Sequence, residues 1–452
     1  MKRRKRRGVS PGTVLVIVIT AATLAASLRI IPRLAGDTTL RPDEAQKIAD
    51  SLTGYLHLPE LTLQDIPILS FSNTGSQPTD GTDNAGMPLF SEAVELPAQV
   101  TPEPTAAPPV ISSFRILAAG TLTADKPILS SFYGQESDTY DFSPLFSYIQ
   151  SDISADVCLF TLKNLMDNKQ KYSNLNTSSS LLSAVRDARF DVIALGHDKA
   201  MDLGLSSLKN TMATLRDEGF SVIGALSDPD DQSLLILDLD GAQVAFLHYT
   251  QAVSSQGKKT IKRDNAEFAL PLLSAERIEN DIAKARQSGA NVVIVSLYWA
   301  SGIKSVVNKT QSTLVQQIAD AGADVILGAS DDAMQPIVFL QSERPGGRTR
   351  QTLAVYSLGA LVTSKRGDTN IISMLLHLDI RYDPSLDAVT FEQVSYSPLY
   401  IWRYREGKSD QYRPVLAHTD PPEGMSKEQI IVMERSFKRI QGILGDFEIT
   451  IN

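Results

Sequence analysis

The chain has 452 residues, 42% hydrophobic and 21% charged, with one cysteine (Cys158) and a net charge of −9. That length allows one large domain with appendages, or two or three smaller ones, and the composition excludes global disorder, collagen and a multi-span membrane protein. One cysteine excludes an intrachain disulfide and any cysteine-cluster metal site. The five scattered histidines argue against a histidine-rich centre, and the acidic balance argues against nucleic acid as a partner.

Residues 2–7 read KRRKRR, and removing their six positive charges from the total of −9 leaves −15 on the rest of the chain. Residues 12–28, GTVLVIVITAATLAASL, carry no charge, and Ile30 and Ile31 extend the run past Arg29. At a rise of ~1.5 Å per residue this run covers a slightly thin hydrocarbon core of ~30 Å. The preceding cations keep the N-terminus in the cytoplasm by the positive-inside rule. A cleaved signal peptide has similar basic and apolar regions, but a small-x-small cleavage site is poorly defined around Ala25, Ala26 and Ser27. The expectation is an uncleaved single-pass anchor in the cell membrane with an extracytoplasmic main domain.

The expected organisation is a basic tail (1–11), the transmembrane anchor (12–31), a juxtamembrane segment (32–71), a Pro/Thr-rich linker (72–111), the main domain (112–405) and a C-terminal extension (406–452). The juxtamembrane segment holds a short amphipathic helix, DEAQKIADSLTGYL. The seven prolines of residues 72–110 cannot join a packed core and read as an extended spacer.

In the main domain, FRILAAG (114–120), DVCLFTL (156–162), DVIALG (191–196) and SVIGA (221–225) read as buried strands. SPLFSYIQSDI, SSLLSAVRDA and GLSSLKNTMATLRDEG between them read as helices. In SLLILDLDGAQVAFLHY, Asp-Gly between two apolar runs signals a hairpin. SAERIENDIAKARQSG, capped by Ser274, followed by NVVIVSLYWA, and TQSTLVQQIADAG followed by DVILGA, repeat a helix–strand pattern. PIVFL, TLAVYSLG, IISMLLHLDIRYD and AVTFEQVSYSPLYIWRY are further strands, ERPGGRTR a hairpin tip, and residues 427–444 an amphipathic helix. The alternation implies an α/β fold with an antiparallel portion, and loops at the carboxyl ends of strands are where chemistry is expected.

The blocks FDVIALGHDKAMDLG, VVIVSLYWASG, QQIADAGADVILGASDDAMQPI and AVYSLGALV stand in an order and spacing that resembles the CapA family over about residues 114–364. These are capsule-synthesis or poly-γ-glutamate-biosynthesis proteins. The resemblance implies a calcineurin-like metallophosphatase sandwich (α/β/β/α), here behind an N-terminal transmembrane helix. It also implies a two-metal centre, from which this chain departs. Where the family has Gly-Asp after its first strand, Gly120 precedes Thr121; Asn-Leu-Glu becomes Thr161, Leu162 and Lys163. Asn-Asn-His becomes His197, Asp198 and Lys199, with Asp202 and Gly204 retained beyond it. His-Trp-Gly-x-Glu becomes Tyr298 to Gly302, Gly-His-His-Pro-His becomes Gly328 to Asp332, and the Asn after Ser-Leu-Gly becomes Ala360.

Two cations ~3.5–4 Å apart need several Asp, His and Asn ligands to lower the pKa of a bridging water. The expectation is therefore a degenerate, non-hydrolytic member that serves an anionic capsule or envelope polymer, with protein partners in a capsule-assembly complex. The alternative is a divergent metal-dependent hydrolase, acting on phosphoesters or γ-glutamyl bonds through its Asp-rich loops. His197, Asp198 and Asp202 are its candidate catalytic residues, and Asp198, Asp331 and Asp332 its candidate ligands for Mg²⁺ or Mn²⁺. Tyr298, Trp299 and Lys199 are candidate ligand-binding residues. Against these stand ordinary readings: Asp331 and Asp332 cap a turn, Lys199 pairs with a carboxylate, and Trp299 is core at a strand end. A third option is a partner-binding module docking through the C-terminal helix.

Overall fold

The computed structural model of the protein describes residues 110–344, 348–407, 409–445 and 450–451. The expected anchor, the juxtamembrane segment with its helix and nearly all of the spacer lie outside them. Among the described residues no helix is long and apolar enough to cross a membrane.

In chain order the first half runs β1 (Ser112–Leu122), α1 (Lys126–Ser131), β2 (Tyr133–Gly134), β3 (Thr139–Tyr140), β4 (Val157–Leu162), α2 (Leu181–Asp187), β5 (Val192–Ala194), α3 (Leu205–Asp217) and β6 (Ser221–Ile223). The hairpin β7 (Leu234–Leu239) and β8 (Ala242–Thr250) follows, then α4 (Ser255–Asp264), α5 (Ala275–Gln287), β9 (Val292–Tyr298), α6 (Lys309–Ala321) and β10 (Val325–Ala329). Next come β11 (Met334–Arg344), β12 (Arg348–Leu358), β13 (Ala360–Val362), β14 (Ile372–Asp383), β15 (Ala388–Glu406), β16 (Ser409–Leu416), α7 (Lys427–Leu444) and β17 (Thr450–Ile451).

The strands form two main sheets. The first has the order β16-β15-β14-β1-β4-β5-β6, with β13 on β1 and β17 on β15; the second has the order β11-β12-β10-β9-β8-β7. β1, β4, β5 and β6 are mutually parallel, as are β8, β9, β10 and β12. Antiparallel strands flank both parallel centres.

Period-two alternation divides the strands' side chains between layers. Ile116 and Ala118 of β1, with Leu159, face Phe246, Ile294, Leu327 and Val355 of the second sheet in an inter-sheet core. Leu117 and Phe160 point the other way, onto Leu182, Leu208 and Met212 of α2 and α3. Leu247, Val293 and Ile326 likewise meet Ile278, Ile282, Val315 and Ile318 of α5 and α6. The result is an α/β/β/α sandwich. With both faces covered, the central strands read as unbroken apolar runs.

Local chemistry fixes the joints. Asp240 and Gly241 take φ of 53° and 87° in the β7–β8 turn, the double positive φ that a tight primed hairpin demands. Ser274 accepts from the Arg277 amide to cap α5, and Asn308 and Gln311 form a reciprocal capping box at α6.

Residues 143–153, expected as a helix, are a correction. They fold as successive three-residue turns, with Ser147 bonding back to Pro144 and Ile149 to Phe146, ending in a 3-10 turn at Gln150–Asp152. Leu145, Phe146, Ile149 and Ile153 still bury, so the spacing reports an apolar face that a tighter coil also satisfies.

Candidate functional site

The carboxyl ends of the parallel strands of both sheets meet in one cluster of charge. Lys163 leaves the end of β4, His197 and Asp198 follow β5, Tyr298 ends β9, Asp331 and Asp332 follow β10, and Lys365 follows β13. The Lys163 side chain is 6% exposed. Its Nζ lies 3.1 Å from Asp331 Oδ2 and 3.5 Å from Asp198 Oδ1, so one ammonium joins carboxylates from the two sheets. Lys365 Nζ is 3.0 Å from Asp331 Oδ2 and 2.6 Å from Asp332 Oδ1. The Tyr298 hydroxyl donates to Asp198 Oδ1 at 3.1 Å, and Lys163 Nζ sits 5.1 Å from that ring's centroid. The Asn370 amide donates to the carbonyls of Asp331 (3.2 Å) and Asp332 (2.9 Å) and holds their turn.

The electrostatics follow from this packing. Burial alone would raise Asp198, but the neighbouring His197 ring, the Lys163 ammonium and the Tyr298 hydroxyl outweigh it and hold the carboxyl well below the usual range. His197 Nδ1 accepts the Lys199 amide at 3.2 Å and lies 3.9 Å from Asp198 Oδ1, too far for a hydrogen bond. Lys163 Nζ, at 3.5 Å, and the Tyr298 hydroxyl, at 3.1 Å, are therefore the partners in reach of Asp198 Oδ1. For Asp331 the burial penalty is likewise outweighed, by the charges of Lys163 and Lys365. For Lys365, burial would lower the ammonium, but the bond to Asp332 and the charge of Asp331 raise it. Burial, helped by Asp331 and Asp198, holds the Tyr298 hydroxyl protonated. Burial also pushes His197 down, so its ring is neutral; Nε2 is buried and has no hydrogen-bond partner.

The other sequence candidates stand outside the lysine–carboxylate pairs. The Asp202 carboxylate accepts from the Ser254 hydroxyl at the start of α4, and the Ser254 amide donates to the Asp198 carbonyl at 2.7 Å, so Asp202 borders the cluster through Ser254. Lys199 is exposed and makes no ion pair among the described residues. Trp299 is fully buried in the core beneath α5 and α6, and its indole N–H donates to the Tyr356 carbonyl, so it does not join the cluster. Lys163 entered the sequence analysis only as a departure from the family pattern, and Lys365 did not enter it. A signal for Lys163 existed: it closes a fully buried strand, beside loops that supply three carboxylates in need of countercharge.

A pair of divalent ions does not fit this donor set. The positions that would face the ions are taken by ammonium groups within 3.5 Å of Asp198 and Asp331, and like charges that close repel strongly away from bulk water. Among the described residues no three His, Cys, Asp or Glu side chains are arranged to hold a metal ion. The cluster can do two things: tie the sheets together and hold a fixed, nearly balanced set of charges at the strand ends.

A second structural device sets the cluster's floor. His248 Nε2 meets the Gly196 carbonyl at 2.7 Å, and Nδ1 meets Ser296 Oγ at 2.9 Å. A Cβ at Gly196 or Gly224 would collide with this ring, at 2.6 and 2.2 Å from Cδ2. The histidine thus wedges between two strand-end loops and fixes the one that carries Asp198.

Residues 115–365 match the family model described as bacterial capsule synthesis protein PGA_cap. The PGA biosynthesis protein CapA of Bacillus subtilis (strain 168) is 26% identical over 195 residues, 42% of this chain and 47% of that protein. The capsule biosynthesis protein CapA of Bacillus anthracis is 24% identical over 217 residues, 48% of this chain and 50% of that one. The match thus spans about half the length of these curated relatives. Among solved structures, the calcineurin-like phosphoesterase YfkN of Bacillus subtilis is similar with a TM-score of 0.40 and 13% identity, over 73% of this chain and 98% of that one. Since the matched family region covers more than half of the sequence and contains the ion-pair cluster at its strand ends, the chain belongs to the bacterial capsule synthesis PGA_cap (CapA) family.

Proposed function

We propose that this protein is a membrane-anchored, extracytoplasmic CapA-type component of envelope or capsule polymer assembly that works without hydrolytic metal chemistry. The observation that carries the reading is the buried Lys163 ammonium between Asp198 and Asp331. An internal cation there makes a divalent ion redundant for charge balance and unfavourable to add. The anchor rests on KRRKRR followed by an uncharged apolar run, and the link to polymer assembly on the family.

In this reading the strand-end cluster binds or orients a polymer, or a protein that carries it, and the spacer holds the domain away from the bilayer. The test supplies Mn²⁺ and Mg²⁺ to the purified chain and assays a phosphodiester and a γ-glutamyl oligomer for cleavage. No turnover above that of an Asp198→Asn, Asp331→Asn double variant is expected. Turnover that the double variant abolishes would establish instead the hydrolase that uses the Asp-rich loops.

A further inference from the structure

Away from the ionic cluster, the loop that begins at Lys163 carries Tyr172 into an aromatic group. Tyr140 packs 5.3 Å from Tyr133 and 5.3 Å, edge-on at 87°, from Tyr172. Tyr140 also stacks on Phe142, which contacts Phe132, so the group is rooted in the core. Tyr133 and Tyr172 nevertheless remain 39% and 42% exposed. Their setting is ordered: the Tyr133 hydroxyl donates to Asp138 at 2.6 Å, and the Lys126 amide donates to Asn174 Oδ1 at 3.1 Å, tying α1 to the Tyr172 loop. The bond from the Ser173 amide to the Asn176 carbonyl closes that loop next to Tyr172.

Two depressions meet at this ring. One, of about 630 Å³, lies between α1, the β2–β3 hairpin and β16; the other, of about 240 Å³, runs from Tyr172 towards Asn168, Asn210 and Thr214. The first is of the size that takes a small organic ligand. Among the described residues its lining is hydroxyl, amide, tyrosine and Leu129, with Lys126 the sole ionised side chain; the second is flanked by Lys169 and Asp217, which offset each other. A polyanion with a charge on every residue needs repeated cations, and the described lining of this groove does not supply them. Rigid, half-exposed tyrosine faces beside neutral hydrogen-bonding groups suit a ligand with an apolar face and a hydroxylated rim. A pyranose ring is such a ligand, and two adjoining depressions suit adjacent rings of one chain.

We propose that the groove centred on Tyr172, with Tyr133 beside it, binds a neutral or N-acetylated oligosaccharide by stacking its rings on the tyrosine faces. The site is separate from the Lys163 cluster and goes beyond the anionic-polymer reading above. Because the tyrosines are held before the ligand arrives, little ordering cost opposes binding.

The experiment is calorimetric titration of the full chain with a tetramer of β-1,4-linked N-acetylglucosamine, a tetramer of β-1,4-linked glucose and an oligomer of γ-linked glutamate. The expected result is saturable binding of at least one sugar tetramer, weakened at least about tenfold by Tyr172→Ala and largely kept by Tyr172→Phe. Tyr172 is exposed, so an unchanged melting temperature will show that the alanine variant is folded. The proposal is overturned by no binding of either tetramer, by sugar binding indifferent to Tyr172→Ala, or by a groove that takes only the glutamate oligomer.

Discussion

Lys163 Nζ lies 3.1 Å from Asp331 Oδ2, although the lysine ends a strand of one sheet and the aspartate follows a strand of the other. The contact joins the two sheets of the sandwich at the carboxyl ends of their parallel strands. Its strength is a matter of burial. An exposed pair would contribute little, but with Lys163 6% and Asp331 8% exposed, losing one partner strands a charge away from water.

Lys163→Met should therefore destabilise the domain by about 3–5 kcal/mol, read from urea unfolding. Adding Asp198→Asn and Asp331→Asn should recover part of that loss, because the stranded charges go with them. Full additivity of the three changes would contradict the network.

Lys163→Glu should convert the cluster into a cation site. The variant then presents a further carboxylate beside Asp198 and Asp331, and Mn²⁺ binding only the folded state should raise its melting temperature with concentration. The natural chain should show no such rise; an equal rise in both would refute the idea that the ammonium holds the position.

Buried histidines, His197 among them, give a pH signature. Burial pushes His248 and His377 down to about 4, against an ordinary value of ~6.5. Above pH ~6.5 both states are neutral and their contribution to stability is complete. As pH falls towards 4 the unfolded chain takes up protons that the native one refuses, so stability drops by up to about 1.4 kcal/mol per pH unit for each histidine. Denaturation midpoints between pH 7 and 4 should trace this slope, and His248→Gln should make it shallower, with the share of the other histidines remaining. The depressed Asp198 and Asp331 act lower: their contribution is present above ~3.9 and is lost as pH falls through their folded values.

Gly328 meets backbone. A Cβ there would lie 1.9 Å from the Tyr356 carbonyl oxygen and 2.6 Å from Trp299 Nε1. Gly328→Ala should cost about 1–3 kcal/mol or more, since neither neighbour is a flexible tip. A neutral effect in thermal unfolding would mean that β10 and β12 can part without penalty.

Cys158 is fully buried, and burial pushes its thiol up to about 12. It should resist a thiol reagent at pH 8 in the folded chain and react fully in denaturant. Rapid labelling without denaturant would show that β4 opens locally.

Much of the fold was legible because its strands are buried on both faces. VVIVSLY needs no alternation to read as a central strand, the Asp-Gly turn announces β7 and β8, and Ser274 marks the start of α5. The elements that escaped carry weak signals. Helix α4, SQGKKTIKRD, buries only Gly257 and Thr260 fully, so it has almost no apolar stripe to find. Strand β16 contains Arg413 and Pro414, which an edge strand tolerates and a reader discounts. In the site, the aspartates stood out on strand-end loops, but the ammonium groups that neutralise them arrive from remote parts of the chain. Trp299 follows the ordinary reading of a strand-end tryptophan: it is buried among the residues beneath α5 and α6 and occupies no ligand-facing position.

The central claim is that the Lys163 ammonium holds the place of a metal. Elemental analysis of the purified chain after Mn²⁺ loading and dialysis tests it most directly. The account predicts well under one equivalent of retained metal in the natural chain, and a gain on Lys163→Glu. About two equivalents in the natural chain, lost on Asp331→Ala, would contradict it.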